Sequence, residues 1–150
     1  MDVQQRDSRG EVPADCRAMA LDLGEKRIGV ALSDTSWTIA RSFTVLKRSS
    51  RLMDFERIGN IIDEQGVSLL IVGLPSLPSG GEGTMAAWVR DYAADLSSHV
   101  DVEIKLWDES FSTMDAEASL RARGVKVRRR RGLIDAIAAA FILQSFLDAR

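Results

Sequence analysis

The stretch Ala18-Met-Ala-Leu-Asp-Leu-Gly-Glu-Lys-Arg-Ile-Gly-Val-Ala-Leu-Ser33 predicts how the domain begins to fold. Two apolar runs, Met19–Leu23 and Ile28–Leu32, flank a short turn that contains glycine, which is the pattern of a β-hairpin. Asp22 interrupts the first run. A carboxylate is costly to bury in a strand unless it is paired or binds a metal. Asp22 therefore either hydrogen-bonds the turn, as aspartate often does, or contributes to a metal site.

The composition is that of one ordinary globular domain. The 150 residues are 45% hydrophobic and 28% charged, which is enough apolar material to bury a core. No apolar run approaches the length of a membrane span, and residues 1–17 lack the apolar centre of a signal peptide. We therefore expect a disordered tail over 1–17, a single domain over 18–150, no membrane partner and a cytoplasmic location.

The single cysteine and the single histidine restrict the chemistry that the chain can perform. Cys16 lies in the predicted tail, so the sequence excludes a disulfide scaffold or a cysteine metal site and suits a reducing cytoplasm. His99 lies in a polar link between a predicted helix and a predicted strand. A mechanism that needs a histidine base would depend on this one residue, so we expect a site that does without it.

The remaining apolar patterns predict an α/β domain. They comprise a third strand over Thr38–Lys47, a helix from Leu52 to Gly66, a buried strand over Ser68–Leu74, a helix containing Ala86–Leu96, a strand over Val102–Trp107, a helix opened by Ser112–Asp115 and a helix over Leu133–Leu147. The continuous apolar run of the fourth strand suits a parallel strand that is buried on both faces. The order predicts a five-stranded mixed sheet, an antiparallel three-strand meander followed by parallel strands, with helices on its flanks.

A loop rich in glycine and proline follows the predicted fourth strand, where open α/β sheets usually bind ligands. It lacks the Gly-Lys-Ser/Thr ending of a phosphate-binding P-loop. The segment is therefore either a plain connector or a substrate loop. The candidate substrate-loop residues are Gly73, Pro75, Ser76, Gly80 and Gly81.

Four acidic residues interrupt or end predicted apolar elements. Asp108 and Glu109 end the last strand, and Asp135 is predicted to lie in the first turn of the last helix. If these residues converge with Asp22, their repulsion requires a cation, and carboxylate oxygens select Mg²⁺ or Mn²⁺. Two such ions about 4 Å apart stabilise the attacking and leaving oxygens of a phosphoryl displacement. Each acid also has an ordinary alternative, at a helix dipole or as a solvated strand end.

A basic segment directly precedes the last predicted helix. It holds seven of the 20 Lys and Arg residues and no acid, although the net charge of the chain is -2. Its members are Arg121, Arg123, Lys126, Arg128, Arg129, Arg130 and Arg131. Such a run is either a solvated linker or a contact for a polyanion. We predict a mobile linker that a nucleic-acid backbone orders, with Lys26 and Arg27 as additional contacts.

Four stretches, taken in order, resemble the YqgF/RuvX family, which has an RNase H-like fold. The likeness covers about residues 18 to 148. Two positions depart from the family pattern: Ser110 stands where Arg is usual, and Ser76-Leu77 stands where Asn is common. The matching stretches are Leu21–Gly24 with Arg27–Ser33, Ile71–Pro75 with the loop after it, Asp108-Glu109 with Ser112-Thr113, and Ile134–Leu147.

The resemblance implies a metal-dependent nuclease that trims precursor 16S ribosomal RNA. It assigns the metal ligands to Asp22, Asp135 and either Glu109 or Asp108, and it favours Glu109. The implied cofactor is a pair of Mg²⁺ or Mn²⁺ ions, and the implied partner is structured RNA or branched DNA, bound by a monomer or a homodimer. The alternatives are a Holliday-junction resolvase, a non-catalytic RNA-binding assembly factor and a nucleotide-binding protein, because Asp-Leu-Gly also resembles a phosphate motif of actin-like ATPases.

Overall fold

The structure is a computed structural model that describes residues 16–77, 79, 81–109 and 127–150, with the backbone alone for 127–133. The described residues form five strands and three helices. The strands are β1 (Arg17–Leu23), β2 (Arg27–Ser33), β3 (Ala40–Lys47), β4 (Val67–Leu74) and β5 (Glu103–Asp108), and the helices are α1 (Arg51–Gln65), α2 (Thr84–Ser97) and α3 (Val127–Asp148).

The five strands form one mixed sheet in the order β3-β2-β1-β4-β5. Strands β1, β2 and β3 pair antiparallel, whereas β4 pairs parallel with β1 and β5 pairs parallel with β4. The predicted meander followed by parallel strands is confirmed. Because β1 and β5 both run parallel to β4, their carboxyl ends point to the same edge of the sheet.

Side-chain alternation along β1 divides the core into two layers. Met19 and Leu21 belong to the cluster that α1 and α2 cover, whereas Ala18 and Ala20 belong to the cluster that α3 covers. Alanine on the second face lets α3, which itself presents Ala139, pack closely on the central strands. On β1 the two faces therefore differ in side-chain size: bulky residues pack under α1 and α2, whereas small residues allow α3 to approach the strand closely.

Helix α1 ends at the predicted glycine and begins one residue before the predicted Leu52. Ser50 is the N-cap, and its hydroxyl oxygen accepts a hydrogen bond from the Met53 amide at 3.2 Å. Gly66 caps the other end with φ of 64°, a left-handed conformation that glycine adopts readily, as predicted. The buried positions of α2 include Ala86, Val89 and Leu96, which confirms its predicted apolar face.

Helix α3 begins earlier than the sequence pattern predicts. It starts at Val127 rather than Leu133, so the prediction that Asp135 lies in its first turn is wrong. Arg128–Arg131 are helical, and the prediction of a linker is wrong for them. Arginine is a good helix former, and a single Gly132 costs a helix only about 1 kcal/mol.

Several predictions fall on residues outside those described. These are the body of the tail over 1–15, the helix opened by Ser112–Asp115, and the positions of Gly80, Ser110, Arg121, Arg123 and Lys126. At the domain boundary, β1 already includes Arg17, whose amide donates to the Gly66 carbonyl at 2.8 Å. Among the described helices, none is both long and apolar enough to cross a membrane.

Candidate active site

Asp22 lies near the carboxyl end of β1 on the face that α3 covers. Alternation places it on the same side as Ala18 and Ala20, which pack against that helix. In the hairpin register Asp22 lies opposite Gly29, and its side chain is partly buried. The carboxylate therefore points into the space between the central strands and α3.

Glu109 follows β5 directly and lies on the same face. Its amide donates to the Leu74 carbonyl at 3.2 Å, which continues the pairing with β4. Trp107, two residues earlier, packs edge-on against Phe146 of α3, with ring centroids 5.3 Å apart. The Glu109 carboxylate lies over Gly73, where an added Cβ would be 2.5 Å from Oε2. Gly73 therefore leaves the room that this carboxylate occupies.

The carboxyl groups of Asp22 and Glu109 interact directly, and each shifts the pKa of the other. Desolvation, followed by the charge of Glu109 and hydrogen bonding to it, raises the pKa of Asp22 to about 8. Desolvation and the charge of Asp108 raise the pKa of Glu109, whereas hydrogen bonding to Asp22 lowers it. At neutral pH the pair therefore favours a proton on Asp22.

Asp135 approaches the pair from α3, and its charge contributes to the raised pKa of Asp22. The approach depends on Gly29, because a Cβ there would overlap the backbone carbonyl oxygen of Asp135. The Asp135 carboxylate itself accepts a hydrogen bond from Arg27, with 2.7 Å between Nε and Oδ2. The third acid is therefore close to the pair but is engaged by a cation of the protein.

Asp108 points away from the other acids. It is exposed, and its Oδ1 lies 3.5 Å from the Ser76 hydroxyl on the other face of the sheet edge. Alternation explains the separation, because consecutive residues at the end of a strand face opposite sides. The structure therefore brings Asp22, Glu109 and Asp135 to one face, whereas Asp108 lies on the other face and acts on Glu109 only through its charge.

The predicted substrate loop is divided between a strand and a surface turn. Gly73 is a buried residue of β4, so its assignment to a loop is wrong, and its role is to accommodate Glu109. Pro75 and Ser76 follow the strand toward the surface. Gly81 has φ of 85° and accepts a hydrogen bond from the Leu77 amide at 3.0 Å, which closes a turn that glycine favours.

A cavity of about 270 Å³ lies beside Asp135, and the two cations of the hairpin turn, Lys26 and Arg27, line it. Its lining residues are Gly24, Glu25, Lys26, Arg27 and Asp135. Lys26 is exposed, and Arg27 retains 38% of its side-chain exposure beside Asp135. An anion that enters this cavity would thus meet the cations Lys26 and Arg27, opposed by the carboxylates of Glu25 and Asp135.

The donor set of the Asp22–Glu109 pair fits a divalent cation. Two carboxylates that face each other in a desolvated site are oxygen ligands of the kind Mg²⁺ and Mn²⁺ prefer. Among the described residues, however, no group of three or more His, Cys, Asp or Glu is arranged to hold a metal ion. The third acid, Asp135, is instead paired with Arg27.

The sequence analysis missed the contribution of Gly29 and the pairing of Arg27 with Asp135. The first had a readable signal, because a hairpin closed between Leu23 and Ile28 places Gly29 opposite Asp22. The second joins residues 108 positions apart and has no local signal. His99 contacts the Asp95 carbonyl through Nδ1 at 3.0 Å and packs against Phe55.

Solved structures of similar fold define the class of the protein. The chain is similar to RuvC of T. thermophilus in complex with a Holliday junction substrate, with a TM-score of 0.57 and 16% identity over 90% of this chain and 95% of that chain. It is also similar to the resolvase of Fowlpox virus in complex with Holliday junction DNA, with a TM-score of 0.53 and 10% identity over 89% and 97% of the two chains. The fold is that of the RuvC-like, RNase H-type nucleases.

Sequence comparison narrows this class to a family. A family model described as "RuvX: Holliday junction resolvase" matches residues 16–149. The protein named "Putative pre-16S rRNA nuclease" of Thermoanaerobacter pseudethanolicus is 42% identical over 135 residues, which are 89% of this chain and 97% of that protein. A protein of the same name from Paramagnetospirillum magneticum is 42% identical over 136 residues, or 91% and 88% of the two chains. The chain belongs to the RuvX family.

Proposed function

We propose that this protein is a metal-dependent nuclease that hydrolyses phosphodiester bonds in the precursor of 16S ribosomal RNA. The observation that carries the proposal is the convergence of Asp22 and Glu109 at the carboxyl edge of the sheet, with Asp135 brought beside them by the close approach of α3 to Gly29. Such a concentration of acids raises their pKa values and is typical of a functional site rather than of a structural one. The names of the relatives support the RNA substrate.

The acids are the proposed ligands of the metal. Asp22 and Glu109 would hold a divalent cation, Mg²⁺ or Mn²⁺, with Asp135 as the third ligand, and a second ion is a further part of the proposal. When bound, such ions stabilise the negative charge of the phosphoryl oxygens in a displacement. The desolvated pocket between the central strands and α3 strengthens each electrostatic interaction inside it. No histidine base is needed.

Cations beside the acids are the proposed contacts for the nucleic-acid backbone. Lys26 and Arg27 line the cavity next to Asp135. Arg128–Arg131 lie one to two helical turns before Asp135 on α3, so the backbone of these four residues adjoins the site. Phosphate contacts of this kind position a nucleic acid without reading its sequence.

Cleavage assays test the proposal directly. The purified protein is incubated with precursor 16S rRNA in Mg²⁺, in Mn²⁺ and in EDTA, beside an Asp22→Asn variant whose folding is checked by thermal unfolding. We expect divalent-dependent cleavage by the native chain and a loss of about a hundredfold or more in the variant. Equal turnover by the two proteins would remove Asp22 from the site.

A Holliday-junction resolvase is the second candidate, because the matching family model is described by that activity. A four-way DNA junction, tested beside the RNA under the same conditions, decides between the two. Preferential cleavage of the junction would replace the RNA assignment. Retained RNA binding without cleavage of either substrate would instead favour a non-catalytic assembly factor.

A further inference from the structure

The carboxylate of Asp135 is engaged by a cation from a distant part of the chain. Arg27 begins β2, Asp135 lies on α3, and their contact of 2.7 Å joins the hairpin to the last helix. The side chains retain 38% and 22% of their exposure, so solutes can reach the pair. An ion pair of this exposure contributes little to stability, so another anion can replace Asp135 on Arg27.

Only one of the three nitrogens of the Arg27 guanidinium is used in that contact. Nε donates to Asp135, and the two Nη atoms have no hydrogen-bond partner among the described residues. Arg27 also lines the cavity of about 270 Å³ that contains Lys26. Guanidinium binds phosphate in a bidentate manner, so a backbone phosphate in this cavity would compete with Asp135 for Arg27.

We propose that Arg27 is a latch that withholds Asp135 from the metal site until a nucleic-acid phosphate takes its place on the guanidinium. The latch rests on the proposed function, since it regulates the same site. It accounts for the pairing of Asp135 with Arg27 at a position where the charge of Asp135 already acts on Asp22. Release of Asp135 completes three carboxylates, so nucleic acid and metal bind with positive coupling, which thermodynamic linkage makes reciprocal.

Mn²⁺ affinity in the absence of nucleic acid tests the latch without relying on catalysis. Titrations compare the native chain with Arg27→Met, Asp135→Asn and the double variant, a cycle that isolates the pairwise effect. Lys26→Met is the matched control, because it removes one positive charge from the same cavity without touching Asp135. Asp22→Asn reports whether the ion binds at the acids at all.

The latch predicts a specific pattern in this cycle. Arg27→Met tightens Mn²⁺ binding about tenfold, a typical size for coupling between sites. Lys26→Met changes the affinity less than twofold, and Asp135→Asn in the Arg27→Met background abolishes the gain. Arg27→Lys keeps the charge without the planar fork and has an intermediate affinity, so it serves if Arg27→Met does not fold.

A second measurement tests the role of the phosphate. The affinity of a short labelled RNA is measured with Ca²⁺ and with EDTA, and we expect the native chain to gain more from Ca²⁺ than Arg27→Met does. Equal gains, or equal Mn²⁺ affinities for the native chain, Arg27→Met and Lys26→Met, overturn the latch while Asp22→Asn still weakens Mn²⁺ binding. If Asp22→Asn leaves Mn²⁺ binding unchanged, the proposed metal site falls, and the latch falls with it.

Discussion

Two aspartates, Asp54 and Asp22, lie on opposite sides of the sheet and differ in their burial and in their partners. Asp54, in the first turn of α1, is fully buried. Its Oδ1 accepts hydrogen bonds from Arg57 Nη2 and from the Ser49 amide, both at 2.9 Å. Asp22, on the α3 face, is only partly buried, yet its nearest partner is another carboxyl group, that of Glu109. The more buried acid is the better compensated one.

The surroundings of Asp54 extend this compensation. The Tyr92 hydroxyl donates to its Oδ2 at 3.3 Å, and Arg48 Nε lies 3.8 Å from the same oxygen. Desolvation and the charge of Asp54 raise the pKa of Tyr92, which keeps that hydroxyl protonated as a donor. Arg48 also donates to the Glu25 carbonyl at 2.9 Å, so the network ties the hairpin turn to α1. Asp22 is less buried than Asp54 but faces another carboxyl group instead of cations. A lack of compensating cations and donors, rather than burial, therefore distinguishes the functional acid from the structural one.

Removal of the charge at Asp54 is expected to have the largest effect on stability. Asp54→Asn leaves the partly exposed Arg57 and Arg48 without their anion and weakens charged hydrogen bonds, which we expect to cost about 1.5–3 kcal/mol. Urea unfolding at pH 7 measures the loss. Asp91→Asn is the control, because it breaks an ion pair with Arg51 in which Asp91 is 72% exposed, and it should cost about 1 kcal/mol or less. Similar losses in the two variants would contradict the comparison.

Substitutions of the two acids at the end of β5 compare the same two faces of the sheet through catalytic activity. Glu109→Gln removes a carboxylate that contacts Asp22, and we expect it to lower kcat about a hundredfold, or about 2.7 kcal/mol in the barrier. Asp108→Asn changes an exposed residue outside the cluster and should lower kcat less than about threefold, or under about 0.7 kcal/mol. Steady-state kinetics on the cleaved substrate decides. A dead Asp108→Asn beside an active Glu109→Gln would assign the site to the opposite face.

Asp22→Asn should stabilise the metal-free protein, the opposite of Asp54→Asn. The pKa of Asp22 is about 8 in the folded state and 3.8 ordinarily, so the folded state binds more protons between these values. As far as Asp22 contributes, the unfolding free energy of the native chain is therefore highest below about pH 4, and it declines as the pH rises toward 8. The variant should be more stable by about 1–3 kcal/mol at pH 8, discounted for relaxation around the pair, and unchanged near pH 4.

Unfolding in EDTA across this pH range measures the effect. Asp63→Asn, at an exposed position of α1, is the control for changing a surface carboxylate. If the difference in unfolding free energy between Asp22→Asn and the native chain does not vary with pH, the pKa of Asp22 is not raised in the folded protein.

The smallest expected effect concerns cations rather than acids. Arg48 and Arg57 are committed to Asp54, whereas we predict that Arg128–Arg131 serve a nucleic-acid backbone. Replacing these four by Gln keeps good helix formers in α3 and removes their charge. The log–log dependence of RNA affinity on salt should flatten by about two to four phosphate contacts, at about 0.7–0.9 each. Parallel slopes for the two proteins would mean that the segment does not touch the backbone.

Local pattern was enough to predict most of the fold. Apolar runs of strand length gave β1, β2 and β4, helical periodicity gave α1 and α2, and Gly66 marked the end of α1. These features depend on contacts between neighbours in sequence, which periodicity reports. Helix α3 was predicted too short, because an apolar pattern cannot report a first turn and a half made of arginines.

The sequence by itself determined which residues are candidates, since an aspartate within an apolar strand and acids at strand ends are unusual wherever they fold. Only the tertiary structure decided which of them meet. Alternation placed Asp108 and Glu109 on opposite faces, but the choice of face depended on where α3 packs. The close approach at Gly29 and the pairing of Arg27 with Asp135 join segments about a hundred residues apart. Contacts of that separation arise from packing, and no local pattern encodes them.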